Sequence, residues 1–239
     1  MNKTTLQQYL GMDLAPSTHH ERIISAIGGC IGIFLVFTVS NWFVGVEAAI
    51  YIIPSMGASA VLLFAVPHSP LAQPWNLFGG HLISAAVGVI CAQFIPIVGI
   101  AAAVSVGLAI GVMYYTRCIH PPGGATALAA VIGGAQIHAL GFEYLITPVL
   151  VNTVAILITA LLFNYAFKWR RYPSYLASKN RKLIATTEVY GPINHADLVY
   201  ALSEIDSFID VTEEDLLRIY QLATGRDADA SVASEVNNT

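Results

Sequence analysis

From Ile23 to Phe167 the chain is almost continuously apolar, broken only by proline, glycine and short polar links. Six apolar segments can be marked, at about 23–44, 46–66, 77–95, 97–116, 119–139 and 145–167. A helix needs about 20 apolar residues to cross the hydrocarbon layer of a bilayer. The first, third, fourth and sixth segments meet that length without interruption. The second and fifth carry proline and glycine inside them, as "IIPSMGASAVLLFAV" and "HPPGGATALAAVIGG". A tight turn, "QFIPIVG", joins the third to the fourth. Ahead of the apolar tract, residues 1–22 read as a polar leader. The first segment is too long for a secretory signal, lacks a clear small-residue cleavage site and is followed by further segments. It therefore reads as a retained helix.

After Tyr172 the pattern changes. "NHADLVYALSEIDSFI" repeats Leu198, Leu202, Ile205 and Ile209 on one helical face behind a candidate N-cap, Asn194. "DVTEEDLLRIYQLATG" offers Thr212 as N-cap, acids in the first turn and Gly225 as a stop. Two such helices bury little surface alone, so this tail suits packing on a partner or a neighbouring subunit. Residues 226–239 have a composition typical of disorder. The implied organisation is a leader (1–22), a transmembrane domain (23–168) and a cytoplasmic tail (169–239).

The two interrupted segments match each other. Pro54-Ser-Met-Gly-Ala-Ser-Ala-Val aligns without a gap on Pro121-Pro-Gly-Gly-Ala-Thr-Ala-Leu. The alignment sets Pro54 on Pro121, Gly57 on Gly124, Ala58 on Ala125, Ser59 on Thr126 and Ala60 on Ala127. Gly28 and Gly32 form a GxxxG pair in the first segment, as Gly107 and Gly111 do in the fourth; such pairs let membrane helices approach closely. The pattern predicts an all-α polytopic membrane protein of two three-segment repeats, about 23–95 and 97–168. Each repeat has a middle helix broken by proline and glycine. Paired breaks of this kind point to a transporter site. Lys168, Arg170 and Arg171, with Arg22, place both termini in the cytoplasm. If all six segments cross, Arg117 is also cytoplasmic and the repeats are inverted. If the second and fifth dip in and return, four helices cross and Arg117 lies outside.

Composition agrees with the pattern. Only 11% of the 239 residues are charged, against about 25% in a soluble domain, and 56% are hydrophobic. Between Ile23 and Phe167 the only charges are Glu47, Arg117 and Glu143. The formal net charge of −4 belongs mainly to the tail, and no basic cluster suits a nucleic acid. Cys30, Cys91 and Cys118 lie in or beside apolar segments without paired spacing, which argues against disulfides.

Candidate chemistry follows from the breaks. A residue before proline is driven to an extended conformation, and proline suits the first turn of a helix. One helix is thus expected to start near Pro54 or Ser55, with Ile53 extended, and another near Pro122, with His120 and Pro121 extended. Each helix start carries about half a positive charge and free N–H groups. Two of them facing one point would match one small monovalent anion, without the desolvation of a buried cation. The candidate anion-binding residues are Ser55, Met56, Gly57, Ala58 and Ser59 from one break. From the other come His120, Pro122, Gly123, Gly124, Ala125 and Thr126. A bulky residue at Gly124 is expected to abolish flux. Glu47, His81, Arg117, Glu143 and Asn152 are candidate pathway or charge residues. For each of these five a purely structural role is the alternative: interfacial placement, a snorkelling arginine, a satisfied histidine or an interhelical amide bond. His68, His138 and Cys118 have no HxxxH or CxxC partner, so neither a metal site nor another cofactor is expected. GxSxG, phosphate-loop and dinucleotide motifs are missing, and no enzyme activity is expected.

"HPPGGATAL" at 120–128, "PSMGASAVLLFA" at 54–65 and "SPLAQPWNLFGGHLISAAVGV" at 69–89 together resemble the HPP family of integral membrane proteins. The resemblance covers about residues 20–170. It implies a core usually described with four membrane helices, to which some members add a pair of CBS domains. Here only a short tail follows, so nucleotide regulation does not carry over. Plastid and cyanobacterial members are associated with nitrite transport, which implies a small-anion transporter with nitrite as its substrate. The name-giving residues fall on His120, Pro121 and Pro122. The tail and the lack of a transit peptide point to a bacterial plasma (inner) membrane, and the GxxxG faces to a homo-oligomer in the lipid bilayer. The alternatives are a membrane-embedded metal or redox enzyme using His81, His120 and Cys118, and a membrane scaffold or sensor acting through its tail.

Overall fold

The computed structural model describes residues 18–178. Residues 1–17 of the expected leader and the two expected tail helices lie outside the described residues; the leader's last four residues, 19–22, already belong to the first helix. What is described is helices joined by short links, and it begins on a capped run, His19–Ala65. Thr18 is the N-cap and its Oγ1 accepts from the Glu21 amide at 3.2 Å. Threonine at the cap with glutamate three residues on is the residue pairing of a capping box.

At about 1.5 Å per residue, a straight helix of that length would measure roughly 70 Å, more than twice the bilayer core. It does not run straight. Gly45 leaves helical geometry at φ 75 and ψ 164, a region open to glycine and closed to most residues. The two arms, 19–44 (α1) and 46–65 (α2), fold back on each other. Their contact is made by the Phe64 ring, which fills the space beside Gly28 and Gly32; a Cβ at either glycine would lie 2.6 Å from it. In a straight helix those residues would stand about 50 Å apart.

The helices that follow are α3 (Pro74–Phe94), α4 (Val98–Tyr115), α5 (Pro121–Ile132), α6 (Gly134–Leu140), α7 (Val151–Tyr165) and the short α8 (Ser174–Ser178). A 3-10 turn, Pro70–Ala72, precedes α3, and a π-helical turn, Leu145–Leu150, leads into α7. Among the described residues, four helices are long and apolar enough to cross a membrane, or five if the bent pair α5–α6 is one span. His19–Ala65 is one of the four, and its reversal at Gly45 divides it into two arms, each about long enough for one span.

Side-chain hydrogen bonds mark which helix ends lie together. Trp75 Nε1 donates to Thr116 O at 3.1 Å, which sets the start of α3 beside the end of α4. Asn164 Nδ2 donates to Leu63 O at 3.1 Å, which sets the end of α7 beside the end of α2. At that end the buried Arg170 gathers three helices. Its guanidinium donates to Glu21, to Ser25 Oγ at 3.2 Å, to Asn164 Oδ1 at 3.2 Å and to the carbonyl of Phe64. Burial lowers the Arg170 pKa, and the charge and hydrogen bond of Glu21 raise it again. Glu47 and Gln136 meet at the opposite end, beside the Gly45 reversal.

No helix starts at Pro54: Ile53 is helical, and α2 runs through the proline from its start at 46. A helix already under way for two turns absorbs the loss of one N–H more easily than it restarts, and the exposed Pro54 ring points away from the packed core. The break in the first half is therefore at Gly45. In the second half, α5 does start at Pro121, but the segment also bends by 100° at Gly133 and Gly134.

Candidate functional site

Four polar side chains meet inside the apolar bundle, and all four are fully buried: Ser59 of α2, His81 of α3, His120 at the N-cap of α5 and Thr126 within α5. Ser59 Oγ lies 2.8 Å from His81 Nε2 and 2.9 Å from His120 Nε2. The other nitrogen of His81, Nδ1, lies 2.7 Å from Thr126 Oγ1. The other nitrogen of His120, Nδ1, lies 2.8 Å from the carbonyl oxygen of Leu71. The two imidazoles meet edge to face, with centroids 4.9 Å apart.

Local sequence explains how each group arrives. α4 ends in a Schellman motif: Cys118 N–H donates to Met113 O at 3.0 Å and Arg117 N–H to Tyr114 O at 3.2 Å. Arg117 takes the left-handed position of that motif at φ 55, where glycine is usual. The turn delivers His120 in an extended conformation, φ −140 and ψ 101, and Pro121–Pro122 then start α5. Gly80 lets the His120 side chain, from its Cβ outward, and the Cys118 carbonyl lie directly on α3. Gly123 does the same for α5: a Cβ there would fall 2.6 Å from Gly80 O and 2.7 Å from Ser84 Oγ. On the far side of the cluster, Ser69 caps the 3-10 turn by accepting from Leu71 N at 3.2 Å. Gln73 Nε2 donates to Ser69 O at 2.8 Å, which holds the turn with the Leu71 carbonyl toward His120.

Of the residues singled out in the sequence, the fold brings together Ser59, His81, His120 and Thr126, with Pro122 and Gly123 buried behind them. Ser55 contributes through its backbone, since its carbonyl accepts from Ser59 Oγ at 3.2 Å while its own hydroxyl bonds Ile52 O. Met56 is buried in the main apolar core. Gly57 meets nothing within 4 Å, and Ala58 is exposed on the outer face of α2. Gly124 has Val106 Cγ1 at 3.8 Å as its nearest neighbour, so it is Gly123 and not Gly124 that cannot take a side chain. Ala125 is half-buried. The picture of two helix starts facing one anion is corrected to a single start, because α2 does not begin at Pro54. That leaves about half a charge, not one. The proline pair also removes two of its N–H donors, and Gly123 N–H is already bonded to His120 O at 2.8 Å.

The charged candidates lie elsewhere. Arg117 and Glu143 are exposed, and Glu47 bonds Gln136 at the opposite end. Asn152 is buried and donates to Ser40 Oγ at 2.7 Å, tying α1 to α7. Cys118 Sγ bonds the Thr116 hydroxyl at 3.0 Å, and no group of three or more metal-ligating side chains forms among the described residues. The sequence reading missed the Leu71 carbonyl. It also missed Asn76, whose Nδ2 donates to Ile119 O at 2.8 Å, and Tyr144, whose hydroxyl donates to Thr126 O at 3.1 Å. Leu71 and Asn76 stand in the block "SPLAQPWN", so that block was the available signal; a carbonyl acceptor leaves no mark in side-chain chemistry.

Comparison with known proteins adds the family. A family model described as "HPP, transmembrane region" matches residues 15–173. A transmembrane protein of Dictyostelium discoideum is 42% identical over 156 residues, covering 63% of this chain and 50% of its own length. A second transmembrane protein of the same organism is 43% identical over 128 residues, covering 52% of this chain and 45% of its own. The chain thus spans about half the length of these relatives. No solved structure matches it. The matched region holds the whole Ser59–His81–His120–Thr126 cluster and every membrane-length helix described above, and by that match this multi-pass membrane protein belongs to the HPP family.

Proposed function

We propose that the protein carries a small monovalent anion, nitrite in the first instance, across a membrane, with the path passing between α2, α3 and the start of α5. The observation that carries this reading is the clamp on His81. Ser59 and Thr126, which occupy matched positions in the two sequence blocks, hold the two nitrogens of that one ring at 2.8 and 2.7 Å. Polar groups buried at membrane depth are expensive, and those retained mark substrate and ion pathways. The cluster brings hydroxyl and imidazole groups that can exchange their mutual hydrogen bonds for bonds to an anion, beside the positive end of α5 and with no charged side chain bonded to it among the described residues. That combination suits a single weakly held negative charge and lets it leave again. Resemblance to a family associated with nitrite transport supports the choice of anion.

The alternating chain direction supports six crossings with Arg22, Arg117 and Arg170 at one end, and hence two inverted three-segment halves. We assign that end to the cytoplasm of a bacterial plasma membrane. Gly107 and Gly111 meet nothing within 4 Å, which leaves a small-residue face for a second copy of the chain.

The test is a flux screen in proteoliposomes over nitrite, nitrate, formate, bicarbonate and chloride. Nitrite is expected to move fastest, and His81→Ala to abolish its movement. Equal leakage of all five anions, or no movement of any, would sink the reading.

A further inference from the structure

The four side chains form one continuous hydrogen-bonded file, and its direction can be assigned. Leu71 O can only accept, so His120 Nδ1 donates to it. In neutral His120, Nε2 must then accept, and the Ser59 hydroxyl is the donor. Ser59 Oγ accepts in turn from His81 Nε2–H. That leaves His81 Nδ1 to accept from the Thr126 hydroxyl. Every donor in this neutral state points one way, from Thr126 toward Leu71.

A second arrangement fits the same heavy-atom positions with one proton more. His120 is then an imidazolium: Nδ1–H donates to Leu71 O and Nε2–H to Ser59 Oγ. Ser59 now donates to His81 Nε2, His81 Nδ1–H donates to Thr126 Oγ1, and the Thr126 hydroxyl turns to Pro122 O at 3.3 Å. No donor is left unpaired in either state. The neutral file holds four exchangeable protons and the charged file five. A proton arriving at Thr126 therefore pushes one proton along each link and makes His120 the cation, breaking and forming one N–H or O–H bond at each step. Return of one proton along the same links in reverse order, from His120 Nε2 through Ser59 and His81 to leave at Thr126, restores the first state with both histidines in their starting tautomers. Both hydroxyls have a carbonyl to rest on during that reset, Ser55 O for Ser59 and Pro122 O for Thr126.

From this we infer that Ser59 relays protons between His81 and His120, and that the pair takes up one proton for each anion carried. The inference rests on the anion-transport reading for its coupling, but the relay itself rests on the file. The geometry limits the count to one proton, since two imidazolium rings with centroids 4.9 Å apart would repel. Burial makes even one such cation expensive unless an anion accompanies it, and this links proton uptake to anion uptake. Among the described residues, no Asp, Glu, Lys or Arg side chain is hydrogen-bonded to the file. The titratable neighbours are Tyr144, whose hydroxyl bonds Thr126 O, Cys118 packed on Gly79, and His68 at the mouth of the loop, bonded to Arg171 O at 3.2 Å.

The experiment uses the full chain in proteoliposomes with a lumenal pH dye, a nitrite gradient and the potential clamped by potassium and valinomycin. Protein-free vesicles supply the baseline for permeation of the undissociated acid. One proton is expected to enter with each nitrite. Ser59→Ala cuts the link without removing either histidine and should lower proton movement by about tenfold or more. Ser59→Thr should retain it, and Thr38→Val, which deletes a hydroxyl bonded only within α1 at Phe34 O, should match the parent. Monodisperse elution of each variant in detergent establishes that it is folded. Nitrite movement without protons would overturn the relay and leave anion transport standing. Undiminished proton movement in folded Ser59→Ala would overturn it as well. Proton movement with none of the anions would support the relay and remove anion transport.

Discussion

The blocks 54–60 and 121–127 are spelled almost alike and fold differently. In the first, the proline rides inside α2 with its ring exposed on the outer face. In the second, the prolines begin α5 after an extended His120. The difference lies upstream. α2 has already made two turns from 46 when it meets Pro54, whereas Arg117 has closed α4 and released the chain three residues before His120. What the blocks share is position five after the proline. Ser59 and Thr126 each direct a hydroxyl at His81, one to each nitrogen. The matched glycines, Gly57 and Gly124, do little packing; the glycine that matters, Gly123, stands opposite Met56 in the alignment. At that alignment position α2 carries a large side chain buried in the main apolar core, whereas α5 carries none and lies with its backbone against α3.

The strongest way to break this comparison is at Gly123. Gly123→Ala should destabilise by about 1–3 kcal/mol, because the new Cβ meets the Gly80 carbonyl, which cannot yield as a side chain would. Gly124→Ala should change stability by less than about 0.5 kcal/mol or raise it, since alanine is the better helix former and the site has room. Reversible unfolding in mixed detergent measures both. Equal effects at the two positions would mean that α5 does not lie on α3 as described.

A smaller effect is expected from the shared hydroxyls. Ser59→Ala and Thr126→Val each strip a partner from His81, and interhelical polar contacts in membranes are worth about 0.6–1.7 kcal/mol. Ser59 also bonds His120, so its removal should cost more than that of Thr126. The same unfolding assay decides the order. A larger loss at Thr126 would show that the cluster is held from α5 alone.

Much of this architecture is legible in the sequence. The six apolar segments fall within a few residues of the helices, and the reversal at Gly45 sits in the gap between the first two. The alignment of the two blocks places Ser59 and Thr126 as counterparts, which the fold uses. Tertiary surroundings decide what sequence spacing cannot. Gly28–Gly32 and Gly107–Gly111 are the same motif, yet the first receives Phe64 of its own chain and the second meets nothing within 4 Å. His81 and His120 look like isolated histidines until α3 and α5 are packed. Proline at 54 and at 121 differs only in whether a helix already exists when the chain arrives.

That last distinction gives the smallest and most direct test. At Pro121, the first position of α5, the missing N–H would have no partner in any case, so Pro121→Ala should change stability by less than about 0.5 kcal/mol. At Pro54 the helix continues on both sides, and Pro54→Ala would restore a main-chain donor to the Ile50 carbonyl and relieve the ring's pressure on the preceding turn. Because the surrounding helix has already adjusted, the gain should be only about 1 kcal/mol of the roughly 3 that proline costs in an ideal helix interior. Stabilisation at 54 with indifference at 121 follows from one proline inside a helix and one at its start. If both substitutions were neutral, Pro54 would begin a helix after all, and the two blocks would be alike in structure as they are in spelling.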